Sequence, residues 1–220
     1  MKKILLILSV FTVFCTCQNV YSFENIEAPE QSIKETPKAT EIISPNVEFD
    51  WLKLTPEERQ AKVNEYKEIL FNKDLSSIYL TKEEFTKKFG SYKKDREYKH
   101  HYMLTNNGVT EDEDAKYCAF YYKKNTLVVY AIQYKTNPHN AYYYTAYGKL
   151  YYVDITSDDY PNFPYYSMQY NRKGKLKSAI YFASKDIQYM YNPDGTFQGI
   201  WYKDKMYDQN GNQKLTRTHW

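Results

Sequence analysis

Residues 170–217 read YNRKGKLKSAIYFASKDIQYMYNPDGTFQGIWYKDKMYDQNGNQKLTR. Three times in this stretch a Tyr is followed by Asn or Asp, and a Gly stands four residues after the Tyr. The pairs are Tyr170 with Gly174, Tyr191 with Gly195, and Tyr207 with Gly211. A short apolar and aromatic run follows each glycine. The physical reading is a strand ending in Tyr, a tight turn, and a returning strand. Glycine supplies the positive φ that such turns need, and the Asn or Asp side chain closes the turn onto its own backbone.

Working outward, residues 144–150 read YTAYGKL with Gly148 in place, and residues 121–127 read YYKKNTL with Asn125 in place of glycine. Asn tolerates the left-handed region better than most residues. The repeat tyrosines at 121, 144, 170, 191 and 207 are spaced by 23, 26, 21 and 16 residues, so the repeat is degenerate. Units of roughly 20 residues predict one hairpin stacked on the next. An ordinary antiparallel sheet with glycine turns would give a similar pattern.

The N-terminus is Met1-Lys2-Lys3 followed by an apolar run from Ile4 to Phe14, the charged start and hydrophobic centre of a secretory signal. Cleavage is expected after Ser22. The run is short for a membrane span, which takes about 20 residues. Cys15 and Cys17 raise lipidation as an alternative, but Phe14 and Thr16 stand where a small residue is needed. Without Lys2 and Lys3 the chain has 28 basic and 27 acidic residues, and such near neutrality argues against a nucleic-acid partner. The charge clusters at 87–99 and 111–114 read as solvated surface. With Cys15 and Cys17 removed, Cys118 is the remaining thiol, so an intramolecular disulfide is excluded. Of 26 tyrosines, 22 lie from Tyr98 onward. Tyr favours strands, and its apolar body and polar tip suit a sheet with one buried and one wet face.

These features divide the chain into a signal (1–22), a Pro-punctuated linker without apolar period (23–49), a helical segment packing on the sheet (50–96), and an antiparallel β-hairpin repeat domain (97–220). Thr55-Pro56-Glu57-Glu58 predicts a capping box and a helix to Asn72, with Val63, Tyr66, Ile69 and Leu70 on its apolar face. Thr81-Lys82-Glu83-Glu84 predicts a second helix carrying Phe85 and Phe89 and stopped at Gly90. Strands are expected at 98–104, 116–122, 126–134, 141–144, 150–155, 165–170, 176–182, 187–191, 197–202 and 214–218. A turn is placed at Asn106-Asn107-Gly108. The run 127–131 is expected to be central and buried on both faces. The fold class is α+β, mainly β: an antiparallel meander of tyrosine-rich hairpins preceded by two short helices.

YNRKGKLKSAIY resembles the Y-x-x-x-G-K-L-K-S units of bacterial proteins built from a variant of the MORN repeat. Residues 197–204, FQGIWYKD, are similar to the aromatic-x-Gly-x-Trp core of MORN, departing from it at Lys205, where a second glycine is usual. YDQNGN at 207–212 resembles the tyrosine-aspartate repeats of secreted Rhs-type proteins. The resemblance implies a hairpin scaffold with a binding or spacer role and brings no catalytic residues.

Cys118 with His100, His101 or His139 offers a thiol and a base, against the plainer reading of Cys118 as a small buried strand residue. His100 and His101, adjacent on an expected strand, would face opposite sides, and no zinc spacing completes them. Glu111-Asp112-Glu113-Asp114 lacks the alternating calcium loop. With no phosphate loop, serine elbow or dinucleotide fingerprint, no catalytic residue, metal or cofactor is expected. The tyrosine doublets leave two possibilities: aromatic rows exposed for binding, or rows covered on both faces. On the exposed reading the candidate binding residues are Tyr143, Tyr151, Tyr166, Tyr191 and Trp201. The expected function is a non-catalytic extracytoplasmic binding or scaffold module, periplasmic or secreted, with a protein or cell-envelope glycan as partner and no transmembrane segment after cleavage. The alternative is a small secreted hydrolase or toxin with its site between the helices and the sheet, using two or more of His100, His101, Cys118, Asp154 and Asp158.

Overall fold

The computed structural model describes residues 49–90, 94–122 and 126–218. The expected signal, the linker up to residue 48, and Asn125 lie outside the described residues. Helix α1 (Pro56–Asn72) begins as its sequence predicts. Thr55 Oγ1 accepts from Glu58 N–H at 3.2 Å, and Thr55 N–H donates to Glu58 Oε2 at 2.7 Å. Helix α2 (Lys82–Phe89) repeats the device with Thr81 and Glu84. On α1, Val63 and Leu70 are buried and Tyr66 is half-buried, whereas Ile69 is exposed and lies off the apolar face.

The expected first strand at 98–104 is instead helix α3 (Tyr98–Asn106). Its inward residues, Tyr98, His101, Tyr102 and Thr105, recur at helical spacing, and this period prevails over the alternation read from the aromatics. Asn106-Asn107-Gly108 is therefore a helix stop rather than a hairpin turn. Gly108, at φ +78°, donates to Thr105 O at 3.1 Å, and Val109 N–H donates to Leu104 O at 2.9 Å. That pair of bonds satisfies the last carbonyls of the helix.

Ten antiparallel strands follow: β1 (Ala115–Tyr122), β2 (Thr126–Tyr134), β3 (Asn140–Thr145), β4 (Leu150–Thr156), β5 (Tyr165–Asn171), β6 (Leu176–Ser184), β7 (Ile187–Tyr191), β8 (Phe197–Tyr202), β9 (Lys205–Tyr207) and β10 (Gln213–Arg217). Each pairs with its neighbour in sequence, and β10 returns to β1, so the meander closes into a barrel. The seam is short, with Phe120 opposite Arg217 and Tyr121 opposite Thr216. Thr218 extends it by donating from its N–H to Ala119 O at 2.9 Å. Of the run expected to be buried on both faces, Val129, Tyr130 and Ala131 are buried, but Leu127 and Val128 are half-buried near the turn.

Strand alternation produces two cores. Cys118, Phe120, Val129, Ala131, Tyr143, Ile180, Phe182, Met190, Trp201 and Met206 point into the lumen. Contacts between strands that are not neighbours show this: Phe120 lies 5.8 Å from Trp201 and 5.8 Å from Tyr143, ring to ring. Residues of opposite parity, among them Tyr130, Tyr142, Tyr170, Tyr181, Tyr189 and Tyr191, face outward beneath the helices. Tyr66 of α1 stacks on Tyr181 at 5.0 Å, Phe85 of α2 meets Tyr170 at 5.6 Å, and His101 of α3 meets Tyr117 at 5.5 Å.

The repeat has a definite geometry. After each repeat tyrosine, residues Thr145, Asn171, Asn192 and Asp208 accept at their carbonyl from the glycine N–H three positions on. Their own N–H groups donate to Lys149, Lys175, Thr196 and Asn212. The turn glycines Gly148, Gly174, Gly195 and Gly211 have φ between +72° and +83°. The register then slips by one residue in every returning strand, leaving Val128, Tyr151, Lys177, Gln198 and Lys214 as the extra residue of a β-bulge. Because these turns all join an odd-numbered strand to the next even one, they crown the same end of the barrel.

Candidate binding groove at the turn end of the barrel

The bulges determine what the turn end presents. An extra residue in a strand re-aims its side chain relative to strict alternation. Val128 and Tyr151 thereby pack against the lumen core although the residues that follow them, Val129 and Tyr152, face the lumen too. Gln198 Oε1 accepts from the buried Ser178 Oγ at 2.9 Å. One cleft of about 220 Å³ lies here, lined by Tyr151, Tyr152, Asn171, Arg172, Lys173 and Lys177. Tyr151 and Tyr152 meet edge to face with ring centroids 4.4 Å apart. Burial, reinforced by Tyr151, pushes the Tyr152 hydroxyl far above its ordinary range, so this wall stays neutral. Asn171 spends its Oδ1 on the turn, accepting from Lys173 N–H at 2.9 Å and Lys175 N–H at 3.1 Å. Arg172 and Lys173 are exposed and Lys177 is half-buried.

A second cleft, about 360 Å³, lies between the approach to α3 and the sheet, lined by Lys94, Asp95, Arg96, Glu97, His101, Tyr134 and Tyr144. Asp95 is its centre. Its Oδ2 accepts from Tyr130 Oη at 2.8 Å and lies 2.8 Å from His101 Nδ1, and its Oδ1 accepts from Glu97 N–H at 2.9 Å. Burial pushes the Asp95 carboxyl up, but hydrogen bonds from His101, Tyr130 and Glu97 outweigh it and hold the pKa below the ordinary value. Asp95 N–H also donates to Gly148 O at 2.8 Å. The cluster thus fastens α3 to β2 and to the β3–β4 turn.

The residues singled out for catalysis do not converge. His101 is on the outer side with Asp95, whereas Cys118 points into the lumen from the opposite face of β1. Thr218 Oγ1 approaches the Cys118 sulfur at 3.7 Å. Asp154 is buried in the lumen and accepts from Tyr143 Oη at 2.8 Å. His100 and Asp158 are exposed, and His139 lies against Tyr160. The acidic run is tied down locally: Asp112 accepts from Asp114 N–H, Ala115 N–H and Tyr117 Oη, and Glu111 pairs with Lys135 at 2.7 Å. No group of three or more metal-ligating side chains assembles among the described residues.

The exposed aromatic rows are corrected by the structure. Tyr143 and Trp201 are fully buried in the lumen, and Tyr166 and Tyr191 are buried on the outer face. Tyr191 Oη donates to Val63 O of α1 at 2.8 Å. Helices cover one face of the sheet and closure covers the other. Of the five candidates, Tyr151 alone retains partial exposure, because it sits on a bulge. Sequence reasoning missed its companions Arg172, Lys173 and Lys177. Aligning the repeats on their turn residues would have shown them, since the bulge position varies freely among Val128, Tyr151, Lys177, Gln198 and Lys214.

The molecule is thus a closed ten-stranded antiparallel barrel, belted outside by helices, with a groove lined by cationic and aromatic side chains at its turn end. No family model, curated protein or solved structure matches the chain. No helix among the described residues is long and apolar enough to cross a membrane.

Proposed function

We propose that this chain is an exported, non-catalytic binding module that presents the turn end of its barrel to a protein or glycan of the cell envelope. The observation that carries the reading is the Tyr151 groove. There one half-exposed aromatic ring stands beside Arg172, Lys173 and Lys177, whose side chains form no ion pair among the described residues. Cations without an ion-pair partner beside a partly exposed aromatic ring give an anionic ligand both a counter-charge and an apolar contact. The kinship with MORN-variant and tyrosine-aspartate repeats belongs to the same proposal, supported by the recurrence of turn and bulge at successive units. Export rests on the N-terminal sequence. A binding screen of the secreted protein against envelope glycans, peptidoglycan fragments and surface proteins tests the reading. Binding weakened by Tyr151→Ala supports it, and binding indifferent to that change removes the groove from the account.

The hydrolase alternative has a location in the Asp95–His101 cleft, where a carboxylate orients an imidazole. A hydrolytic activity lost equally in His101→Gln and Asp95→Asn, with the fold retained by circular dichroism, would replace the binding reading with an enzymatic one.

A further inference from the structure

The bulges of two successive repeats meet at one place. Tyr151 stands three residues after Gly148, and Lys177 three residues after Gly174. They occupy equivalent positions on β4 and β6, the strands that flank β5, and both line the same groove. The β5–β6 turn that closes the groove contributes Arg172 and Lys173. Lys149 and Lys175, exposed in the adjacent and the same turn, extend the positive rim. These five cations make no ion pair among the described residues. The turns farther around the barrel differ. Asp194 and Asp208 occupy them, and Asp208 is bonded to the bulge residue Lys214 at 2.8 Å. Among the described turns, those joining β3 to β4 and β5 to β6 thus carry cations without an acidic residue beside them in sequence.

We infer that the groove formed by Tyr151, Arg172, Lys173 and Lys177 binds a negatively charged sugar residue of an anionic glycan, an assignment that rests on the binding-module reading above. Three features decide the class. The cations call for an anion, and the guanidinium of Arg172 suits a planar carboxylate. Tyr151, partly exposed beside them, supplies an aromatic ring of the size a pyranose ring covers. The volume of about 220 Å³ is below the roughly 300–1,000 Å³ of sites that engulf a drug-sized ligand, so it holds one residue and leaves the rest of a chain outside. Single-stranded nucleic acid fits less well. It needs a succession of stacking rings, whereas here Tyr152 is buried and Tyr151 is the one ring available.

The test measures binding of the full secreted chain to four probes by titration calorimetry. They are an oligogalacturonate, its neutral methyl ester, a poly(glycerol phosphate) of matched charge, and a single-stranded oligothymidylate. Expected is a preference for the oligogalacturonate over its ester by about tenfold or more, weakening as salt screens the exposed cations. Lys177→Glu combined with Arg172→Glu should abolish that preference. Tyr151→Ala should weaken the oligogalacturonate by about tenfold and leave the ring-free phosphate polymer unchanged. Lys214→Glu, reversal of a single cation at a distant bulge, should leave binding as it was. Equal, Tyr151-dependent binding of acid and ester would overturn the charge requirement while leaving a glycan-binding module standing. Tighter binding of oligothymidylate would overturn the glycan. An equal response of the phosphate polymer and the oligogalacturonate to Tyr151→Ala would overturn the ring contact. Absence of binding to every probe would overturn the inference, and the envelope screen would then decide the broader reading separately.

Discussion

Raising the pH should unfold this barrel abruptly, because its core is built from tyrosine. Tyr117, Tyr130, Tyr152, Tyr170, Tyr181, Tyr189 and Tyr191 are all buried. Burial pushes Tyr170 up to about 12, against a smaller downward pull from the Leu80 N–H. Burial likewise raises Tyr181 to about 12. It drives the other five further still, aided by Asp112 at Tyr117, Asp95 at Tyr130, Tyr151 at Tyr152, and Tyr66 at Tyr189 and Tyr191. The sign follows from proton counting. Above pH 10 the unfolded chain releases phenolic protons that the folded chain keeps, so stability is complete below the unfolded pKa and falls as pH rises past it.

Each such group withdraws about 1.4 kcal/mol per pH unit, so the seven together withdraw roughly 10 kcal/mol by pH 11. A typical domain has only about 5–15 kcal/mol in total. Tyrosinate absorbance and circular dichroism followed together from pH 9 to 12 provide the assay. The buried set should ionise in one step, coincident with loss of the β signal. Smooth titration of every tyrosine around pH 10 with the β signal intact would mean that the two cores are not as described.

Three further perturbations probe separate parts of the fold. Gly174→Ala would hold a non-glycine residue at φ +76° and bring its Cβ to 3.1 Å from Phe85. A cost of about 2 kcal/mol, and a melting temperature lower by roughly 4–8 °C, is expected by calorimetry, with a larger drop for Gly195→Val combined with Gly211→Val. An unchanged melting temperature in the double variant would contradict the turn geometry. Tyr170→Phe removes a hydroxyl that donates to Ile78 O at 3.0 Å and accepts from Leu80 N–H at 2.7 Å. A loss of about 1–3 kcal/mol is expected, with faster amide exchange at Leu80 as the local readout. Asp95 has a depressed folded pKa, so its contribution is present above its unfolded pKa near about 3.9 and lost as pH falls through the folded value. Asp95→Asn should therefore lower stability at neutral pH and flatten the acid limb of a melting-temperature profile; a parallel downward shift at every pH would assign the effect to packing alone.

The elements whose signals are local were legible. Both capping boxes, α1 and α2, and the positive-φ turn glycines follow from a few adjacent residues whose chemistry has one good solution. Strands β7 and β8 run as expected, because an alternating run between two turn signals defines its own limits. What depends on distant partners was not legible. β9, of three residues, is too short to carry a period and exists through its pairing with β8 and β10. Closure depends on β10 finding β1 across about a hundred residues, and alternation is identical in an open and a closed sheet. Aromatics on both strand faces read equally as exposed rows or as two cores. The lumen and the helical belt decide between them, and neither is a local property. Tyr151 was identified for its place in a row, but its exposure comes from a bulge.

The belt also bears on the groove. The helical segment passes over the turns in the reverse of their sequence order. Arg59 lies against Gly211, Lys67 against Gly195, Phe85 against Gly174 and Tyr98 against Gly148. Phe85 therefore holds the turn that carries Arg172 and Lys173, and Lys177 follows directly. Arg172, Lys173 and Lys177 on a free hairpin would each lose rotamer and backbone freedom on binding, at about 0.5–1.5 kcal/mol per immobilised side chain. A turn already clamped between α2 and the barrel has lost much of that freedom in advance. Phe85→Leu keeps an apolar side chain there, removes the ring that packs on Gly174, and leaves the groove residues themselves unchanged, although Phe85 shares a neighbouring cleft with Arg172 and Lys173. If the clamp pre-organises the groove, this variant should bind the oligogalacturonate several-fold more weakly than the parent while remaining folded, with a less favourable binding entropy. Unchanged affinity in a folded Phe85→Leu protein would mean that the turn is held by its own hydrogen bonds, and that the belt serves the barrel without serving the site.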